Sequence, residues 1–160
     1  MTIKRRKVLI IEDNTDIQQL YRYAFESRGY DVKSSNDGLA GVNDAVDFLP
    51  DVILLDIMMP EMNGYNVLDA LKNNTSLEIP VVVVSNLTQE LEKQKALQRG
   101  ADMYLIKSDY EGLDLVDKID TFLDKIEKVP EMTSENWKFL CILLNKCISY
   151  YIFSCLTSFN

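Results

Sequence analysis

The run Asp51-Val52-Ile53-Leu54-Leu55-Asp56 constrains this chain more than any other segment. Four consecutive apolar residues bounded by acids read as a strand buried on both faces, which belongs in a parallel sheet covered by helices. A second run of the same kind, Val8-Leu9-Ile10-Ile11, ends in Glu12-Asp13. Open α/β sheets bind their ligands beyond the carboxyl ends of their strands. If these two strands are neighbours, three carboxylates converge at that edge. Packing does not ask for clustered like charges, which repel one another. A hard divalent cation does ask for them, and Mg²⁺ is the usual one, held by carboxylates together with phosphate oxygens and water. Asp56 therefore reads as a site for phosphoryl chemistry.

A length of 160 residues fits one domain with some excess, and an apolar fraction of 47% is enough for a real core. A net charge of -8 and a pI near 4.6 argue against a broad basic surface for nucleic acid. The short basic run Lys4-Arg5-Arg6-Lys7 reads as a solvated lead-in to the first strand. It meets only four apolar residues before Glu12, so no signal peptide is expected. The three cysteines, Cys141, Cys147 and Cys155, fit no zinc spacing, and there is no histidine to help. A reduced, cytoplasmic protein is expected.

Strand and helix signals alternate from Lys7 to about Lys128. Asn14 caps a first helix with Ile17, Leu20, Tyr21, Ala24 and Phe25 inward, stopped by Gly29. Asp31 to Ser34 is a short, weak strand. Asp37 caps a second helix carrying Leu39, Val42, Ala45, Val46 and Leu49, ended by Pro50. After Asp56 come Met58-Met59-Pro60-Glu61-Met62-Asn63-Gly64, a loop with two strong breakers. A third helix spans Tyr65 to Lys72 with Val67, Leu68 and Leu71 inward. Val81 to Val84 is a β-branched strand ending at Ser85-Asn86. Thr88 caps a more polar fourth helix, and Met103 to Ile106 form the fifth strand. Ser108 and Glu111 form a capping box for a last helix with Leu113, Val116, Ile119, Leu123 and Ile126 on one face. Five strand–helix repeats imply an α/β fold, a doubly wound parallel sheet with right-handed crossovers.

The residues at the strand ends are Glu12 and Asp13, Asp56, Ser85, and Lys107. They suit phosphoryl transfer onto a carboxylate. Asp56 is the nucleophile, and Asp13 and Glu12 hold Mg²⁺ directly or through water. The metal and Lys107 neutralise charge on the transferring group, and Ser85 donates a hydrogen bond to a phosphoryl oxygen. Over roughly residues 5 to 128 the sequence resembles the receiver domain of two-component response regulators. The matching residues are Ile11-Glu12-Asp13-Asn14, Asp56-Ile57-Met58-Met59-Pro60 with Gly64, Ser85, and Gly100-Ala101-Asp102 with Tyr104 and Lys107.

The resemblance implies a flavodoxin-like five-stranded sheet of order 2-1-3-4-5. It implies Asp56 as phosphoacceptor, Glu12 and Asp13 as metal acids, and the Met58 backbone carbonyl as a further ligand. Ser85 and Tyr104 become the switch pair and Lys107 the phosphate-contacting lysine. A sensor histidine kinase or phosphotransfer protein is then expected upstream. A partner protein or a second copy of the chain is expected downstream, docking on the face made by the fourth helix, fifth strand and fifth helix. Such a chain is a switch rather than an enzyme, catalysing only its own phosphoryl transfer and slow autodephosphorylation.

Three departures from the family stand out. Ser108 replaces the usual proline after the lysine, so a trans peptide is expected where the family has a cis one. Asn86 replaces a small residue beside the switch hydroxyl and crowds the donor's path. Met58 and Leu87 offer no polar group to orient a water, which favours a long-lived phosphoryl group. Two other classes fit less well. A haloacid-dehalogenase-type phosphatase needs a second Asp where Met58 stands. A flavodoxin-like cofactor binder needs a hydroxyl- and Gly-rich first loop in place of Glu12-Asp13-Asn14. Residues 1–128 form the receiver unit. Residues 129–160 form an apolar tail, too short for an independent core and a poor membrane span. It is either a helix with Phe139, Leu140, Leu143, Leu144, Cys147 and Ile148 in a stripe, or a non-native end.

Overall fold

The computed structural model describes residues 5–73 and 78–127. In chain order these form β1 (Lys7–Ile11), α1 (Thr15–Ser27), β2 (Asp31–Ser35), α2 (Gly38–Phe48), β3 (Val52–Leu55) and α3 (Gly64–Asn73). Then follow β4 (Val81–Ser85), α4 (Glu90–Gln98), β5 (Met103–Ile106), a short 3₁₀ turn at Lys107–Asp109 and α5 (Gly112–Glu127). The five strands make one parallel sheet of order β2-β1-β3-β4-β5, as expected. One compact unit ends at Leu123, and the chain from Asp124 onward belongs to a second. The apolar segment 129–160, with its three cysteines and its expected stripe, lies outside the described residues.

Successive strand residues point to opposite faces of the sheet, and both faces are buried. Val8, Ile10, Val52, Leu54, Val82 and Val84 meet Tyr21, Ala24 and Phe25 of α1 and Leu115, Val116, Ile119 and Leu123 of α5. Leu9, Ile11, Ile53, Leu55, Val81 and Val83 meet Ala45 of α2, Val67, Leu68 and Leu71 of α3, and Ala96 of α4. The uninterrupted apolar runs follow from this two-sided burial. Asn14 caps α1 by accepting from the Asp16 and Ile17 amides at 3.0 and 3.1 Å. Asp37 caps α2 by accepting from the Ala40 amide at 2.8 Å. Both act as the sequence predicts.

Several helix details differ from expectation. Leu39, Val46 and Leu49 of the second helical segment are exposed; Ala45 is buried as expected, and Gly38 and Gly41 face inward beside it. The cause is proximity: a Cβ on Gly41 would lie 2.6 Å from Ile11 Cδ1, so the helix sits too close to β1 for larger residues. Leu20, Leu113 and Ile126 are likewise exposed, and Leu115 takes the inward place beside Val116. Thr88 does not cap α4. That helix starts at Glu90 behind Gln89, which makes no side-chain capping bond. The expected box of Ser108 and Glu111 is absent, because Lys107–Asp109 wind into a 3₁₀ turn and the Ser108 hydroxyl lies 3.4 Å from Asp109 Oδ1. The described residues contain no cis peptide bond, so the Lys107–Ser108 bond is trans, as expected.

Ala96 is the buried residue of α4, so its attachment is largely polar. The Tyr65 hydroxyl of α3 donates to the Glu92 carboxylate. Lys95 Nζ sits 4.1 Å and the Arg99 guanidinium 5.5 Å from the Tyr65 ring centroid. Arg99 also pairs with Asp69 of α3. No helix among the described residues is long and apolar enough to cross a membrane.

A second polar clamp closes the other face. Tyr30 stands edge-on to Phe25 at 5.1 Å, and its hydroxyl donates to Asp120 of α5, which also receives Arg6 Nη1 at 3.1 Å. Burial and the Asp120 carboxylate push the Tyr30 phenol well above its ordinary range. The folded state therefore keeps this proton above pH ~10, where an unfolded tyrosine ionises, so the clamp's contribution falls as pH rises further. Tyr30→Phe should cost about 2 kcal/mol at neutral pH. Denaturant unfolding should show that loss, together with a shallower decline of stability above pH ~10 than in wild type.

Candidate functional site

The parallel register delivers the strand ends to one place. Ile11 pairs with Leu55, and the Asp56 amide donates to the Ile11 carbonyl at 3.0 Å, setting Glu12 and Asp56 side by side. Ser85 pairs with Ile106, which places Lys107 one residue beyond the β4 end. One carboxylate oxygen from each of Glu12, Asp13 and Asp56 lies within 4.8 Å of the others. Glu12 and Asp56 are buried, whereas Asp13 is half-buried.

Lys107 reaches from β5 across this cluster. Its Nζ lies 2.6 Å from Glu12 Oε2 and 2.7 Å from Asp56 Oδ2, with only 8% of its side chain exposed. Burial alone would pull the ammonium pKa down, yet the hydrogen bonds to Asp56 and Glu12 outweigh it and hold the pKa above the ordinary lysine value. Burial pushes the Glu12 carboxyl up, and Lys107 opposes that shift only in part. The other Asp56 oxygen, Oδ1, accepts from the Met58 amide at 3.1 Å. Here Met58 engages Asp56 through its N–H, while its side chain is 60% exposed. Gly64 donates its amide to the Ile57 carbonyl at 3.0 Å. A Cβ on Gly64 would fall 2.2 Å from the Asp56 carbonyl oxygen, so this close return of the loop admits only glycine.

Ser85 is fully buried, and its hydroxyl accepts weakly from the Leu87 amide at 3.4 Å. Tyr104, half-buried on β5, donates its hydroxyl to the Leu87 carbonyl at 2.8 Å. Burial raises its phenol, while the Ser85 hydroxyl pulls the other way. The tyrosine of the expected switch pair is thus engaged with the β4–α4 loop. A cavity of about 300 Å³ opens beside Lys107, lined in part by Tyr21, Asn86 and Ser108. Asn86 is one of the residues lining this cavity.

The donor set suits a hard cation. It offers three carboxylates, and among the described residues Asp13 has no hydrogen-bonded or ionic side-chain partner of its own. Glu12, Asp13, Asp56, Ser85 and Lys107 lie at this edge of the sheet, whereas Tyr104 stands within β5 opposite Val83. One contributor carried no signal: Gln18, whose amide reaches back from α1 to the Glu12 carbonyl. A glutamine on a helix reads as solvated until the fold places a backbone oxygen opposite it.

Residues 8–125 match the family described as response regulator receiver domain. The chain is 32% identical over 126 residues to the DNA-binding dual master transcriptional regulator RpaA of Synechocystis, covering 78% of this chain and 52% of that protein. It is 33% identical over 135 residues to the response regulator SaeR of Staphylococcus aureus, covering 82% of this chain and 57% of that one. It thus spans just over half the length of these curated relatives. A CheY-like receiver domain protein from Methanospirillum hungatei superposes with a TM-score of 0.70 at 27% identity, covering 78% of this chain and 98% of that one.

Replacing Lys107 with methionine leaves two buried carboxylates facing each other. Lys107→Met should lower the stability of the metal-free protein by about 3 kcal/mol at neutral pH. Glu12, whose folded pKa is already raised, carries its penalty above its unfolded value, so the loss should shrink as pH falls and the carboxyl takes a proton. Mg²⁺ should bind the variant more tightly than wild type, since a competing cation is gone. Thermal melts across acidic to neutral pH and calorimetric Mg²⁺ titration check both effects.

Proposed function

The chain belongs to the response regulator receiver domain family, whose members are phosphorylation-dependent switches of two-component signalling, and we propose that Asp56 is the residue that takes the phosphoryl group. The observation that carries this assignment is the Lys107 ammonium bound at once to Asp56 and Glu12 at the strand ends. A carboxylate at that point can attack phosphorus, and a cation already stands where charge develops.

Glu12, Asp13 and Asp56 would hold Mg²⁺ together with the Met58 carbonyl. When bound, the ion supplies positive charge against the phosphoryl oxygens. The Met58 amide fixes Asp56 Oδ1 and so orients the carboxylate. An Asp56 oxygen forms the new P–O bond as the P–N bond of a phosphohistidine donor breaks. The departing electron pair stays on the imidazole nitrogen. Lys107 exchanges Asp56 Oδ2 for a phosphoryl oxygen and remains paired with Glu12. Ser85 donates its hydroxyl to another phosphoryl oxygen.

The new group adds about -1.5 to -2 charge at pH 7. Movement of Ser85 toward it alters the ground on which Leu87 and Tyr104 meet, and hence the surface of α4, β5 and α5. A partner must bind one state better than the other for a signal to pass. The upstream partner is a sensor histidine kinase or phosphotransfer protein. The downstream one is another protein or a second copy of this chain, in a cytoplasmic setting. The switch is assigned to residues 1–128. Met58 and Leu87 lack groups that could orient an attacking water, so autodephosphorylation is slow.

Acetyl phosphate with Mg²⁺ should add one phosphoryl group, visible by mass spectrometry in wild type and absent in Asp56→Asn. Labelling that persists in the variant places the acceptor elsewhere. Beryllofluoride, a phosphoryl mimic, should shift resonances at Ser85, Leu87, Tyr104 and along α4. In Ser85→Ala the shifts should stay around Asp56, and spread equal to wild type would remove Ser85 from the relay.

A further inference from the structure

Among the three acids at the strand ends, two are held by their own side chains. Glu12 is bound by Lys107, and Asp56 is bound by Lys107 and the Met58 amide. Asp13 is different: among the described residues its carboxylate has no partner, so its place depends on the backbone that carries it. That backbone lies beyond the last residue of β1, where ladder hydrogen bonds no longer fix it.

On the far side of Asp13 the Asn14 amide donates to Glu12 Oε1 at 3.4 Å, and the peptide between Glu12 and Asp13 is held by Gln18. Its side-chain nitrogen donates to the Glu12 carbonyl at 3.2 Å and to the Ser35 carbonyl at 3.2 Å. The Glu12 carbonyl belongs to the peptide joining Glu12 to Asp13, and a peptide is planar. A donor on that oxygen therefore sets the plane from which Asp13 departs. The Ser35 carbonyl also accepts the Glu12 amide at 3.1 Å, so one amide group ties both strand ends to the loop. Gln18 is itself anchored, because its amide makes the first hydrogen bond of α1, to the Asn14 carbonyl at 2.9 Å.

We propose that Gln18 is a positioning residue for the acid cluster, which orients the Glu12–Asp13 peptide so that Asp13 faces the cation shared with Asp56. This rests on the assignment of Mg²⁺ to these acids. Gln18 touches neither the cation nor the phosphoryl group. Outer partners of metal ligands commonly change affinity by about 10–100-fold when removed, and an effect passed through one peptide plane belongs at the low end.

The experiment measures Mg²⁺ affinity by calorimetry, and the Mg²⁺ dependence of Asp56 phosphorylation by acetyl phosphate, in wild type, Asp13→Asn, Gln18→Met and Gln18→Asn. Methionine keeps the length and loses the donors, while asparagine keeps the donors and loses the reach. Both should weaken Mg²⁺ by about tenfold and raise the half-saturating Mg²⁺ for phosphorylation equally, with the rate at saturating Mg²⁺ within about twofold of wild type. A merely structural role would lower the saturating rate without shifting the half-saturation point, and that result overturns the proposal, as do unchanged affinities in both variants. If one variant does not fold, the other decides. Wild type that binds no Mg²⁺, or Asp13→Asn that binds it as well as wild type, overturns the underlying metal assignment instead.

Discussion

Everything at the carboxyl edge of the sheet depends on one ammonium group shared by two buried carboxylates. Lys107 joins the ends of β1, β3 and β5 in a single ionic contact. Removing three charges from water is costly, and apolar residues of similar volume commonly serve stability as well or better. The fold accepts that cost at the one edge where neighbouring strand ends can present side chains to a ligand. The raised Glu12 pKa is the residue of that tension, since the lysine offsets burial only in part. A second cation with stricter geometry would relieve what one lysine leaves uncompensated.

The sheet and the reacting groups were legible in the sequence because their signals are local and strong. Val52 to Leu55 and Val81 to Val84 can scarcely be anything but two-sided strands, and Asp56 and Ser85 follow where they end. Helix faces were less legible. In α2 the apolar period picks out Leu39, Val42, Ala45, Val46 and Leu49, but of these Ala45 is buried and Val42 half-buried, and Gly38 and Gly41 complete the inward stripe. Which stripe faces inward depends on how close the helix comes to Ile11, a distance no periodicity encodes. Thr88 and Ser108 failed as caps for a related reason: both have the right chemistry, but the α-helix begins only a few residues later, after a 3₁₀ turn in the case of Ser108. Tyr104 entered only through the family resemblance, and its bond to the Leu87 carbonyl could be seen only in three dimensions.

The two sides of the sheet are fastened by different means. Beneath α1 and α5 lie Phe25, Leu115, Val116 and Ile119, and the Tyr30–Asp120–Arg6 clamp adds direction to an apolar contact. On the other side α3 is seated by Val67, Leu68 and Leu71, whereas α4 has Ala96 and a set of charges around the Tyr65 ring.

That difference makes the molecule unevenly sensitive to its solution. Apolar contacts are not weakened by screening, but the partly exposed charges of Glu92, Lys95, Arg99 and Asp69 are screened within about 8 Å at physiological ionic strength. Rising salt therefore loosens α4 more than α1 and α5, whose Arg6–Asp120 pair is screened as well but only adds to an apolar seat. The outward surface of α4, where Leu91 stands 77% exposed, is the part of the fold whose position the surrounding electrolyte can tune.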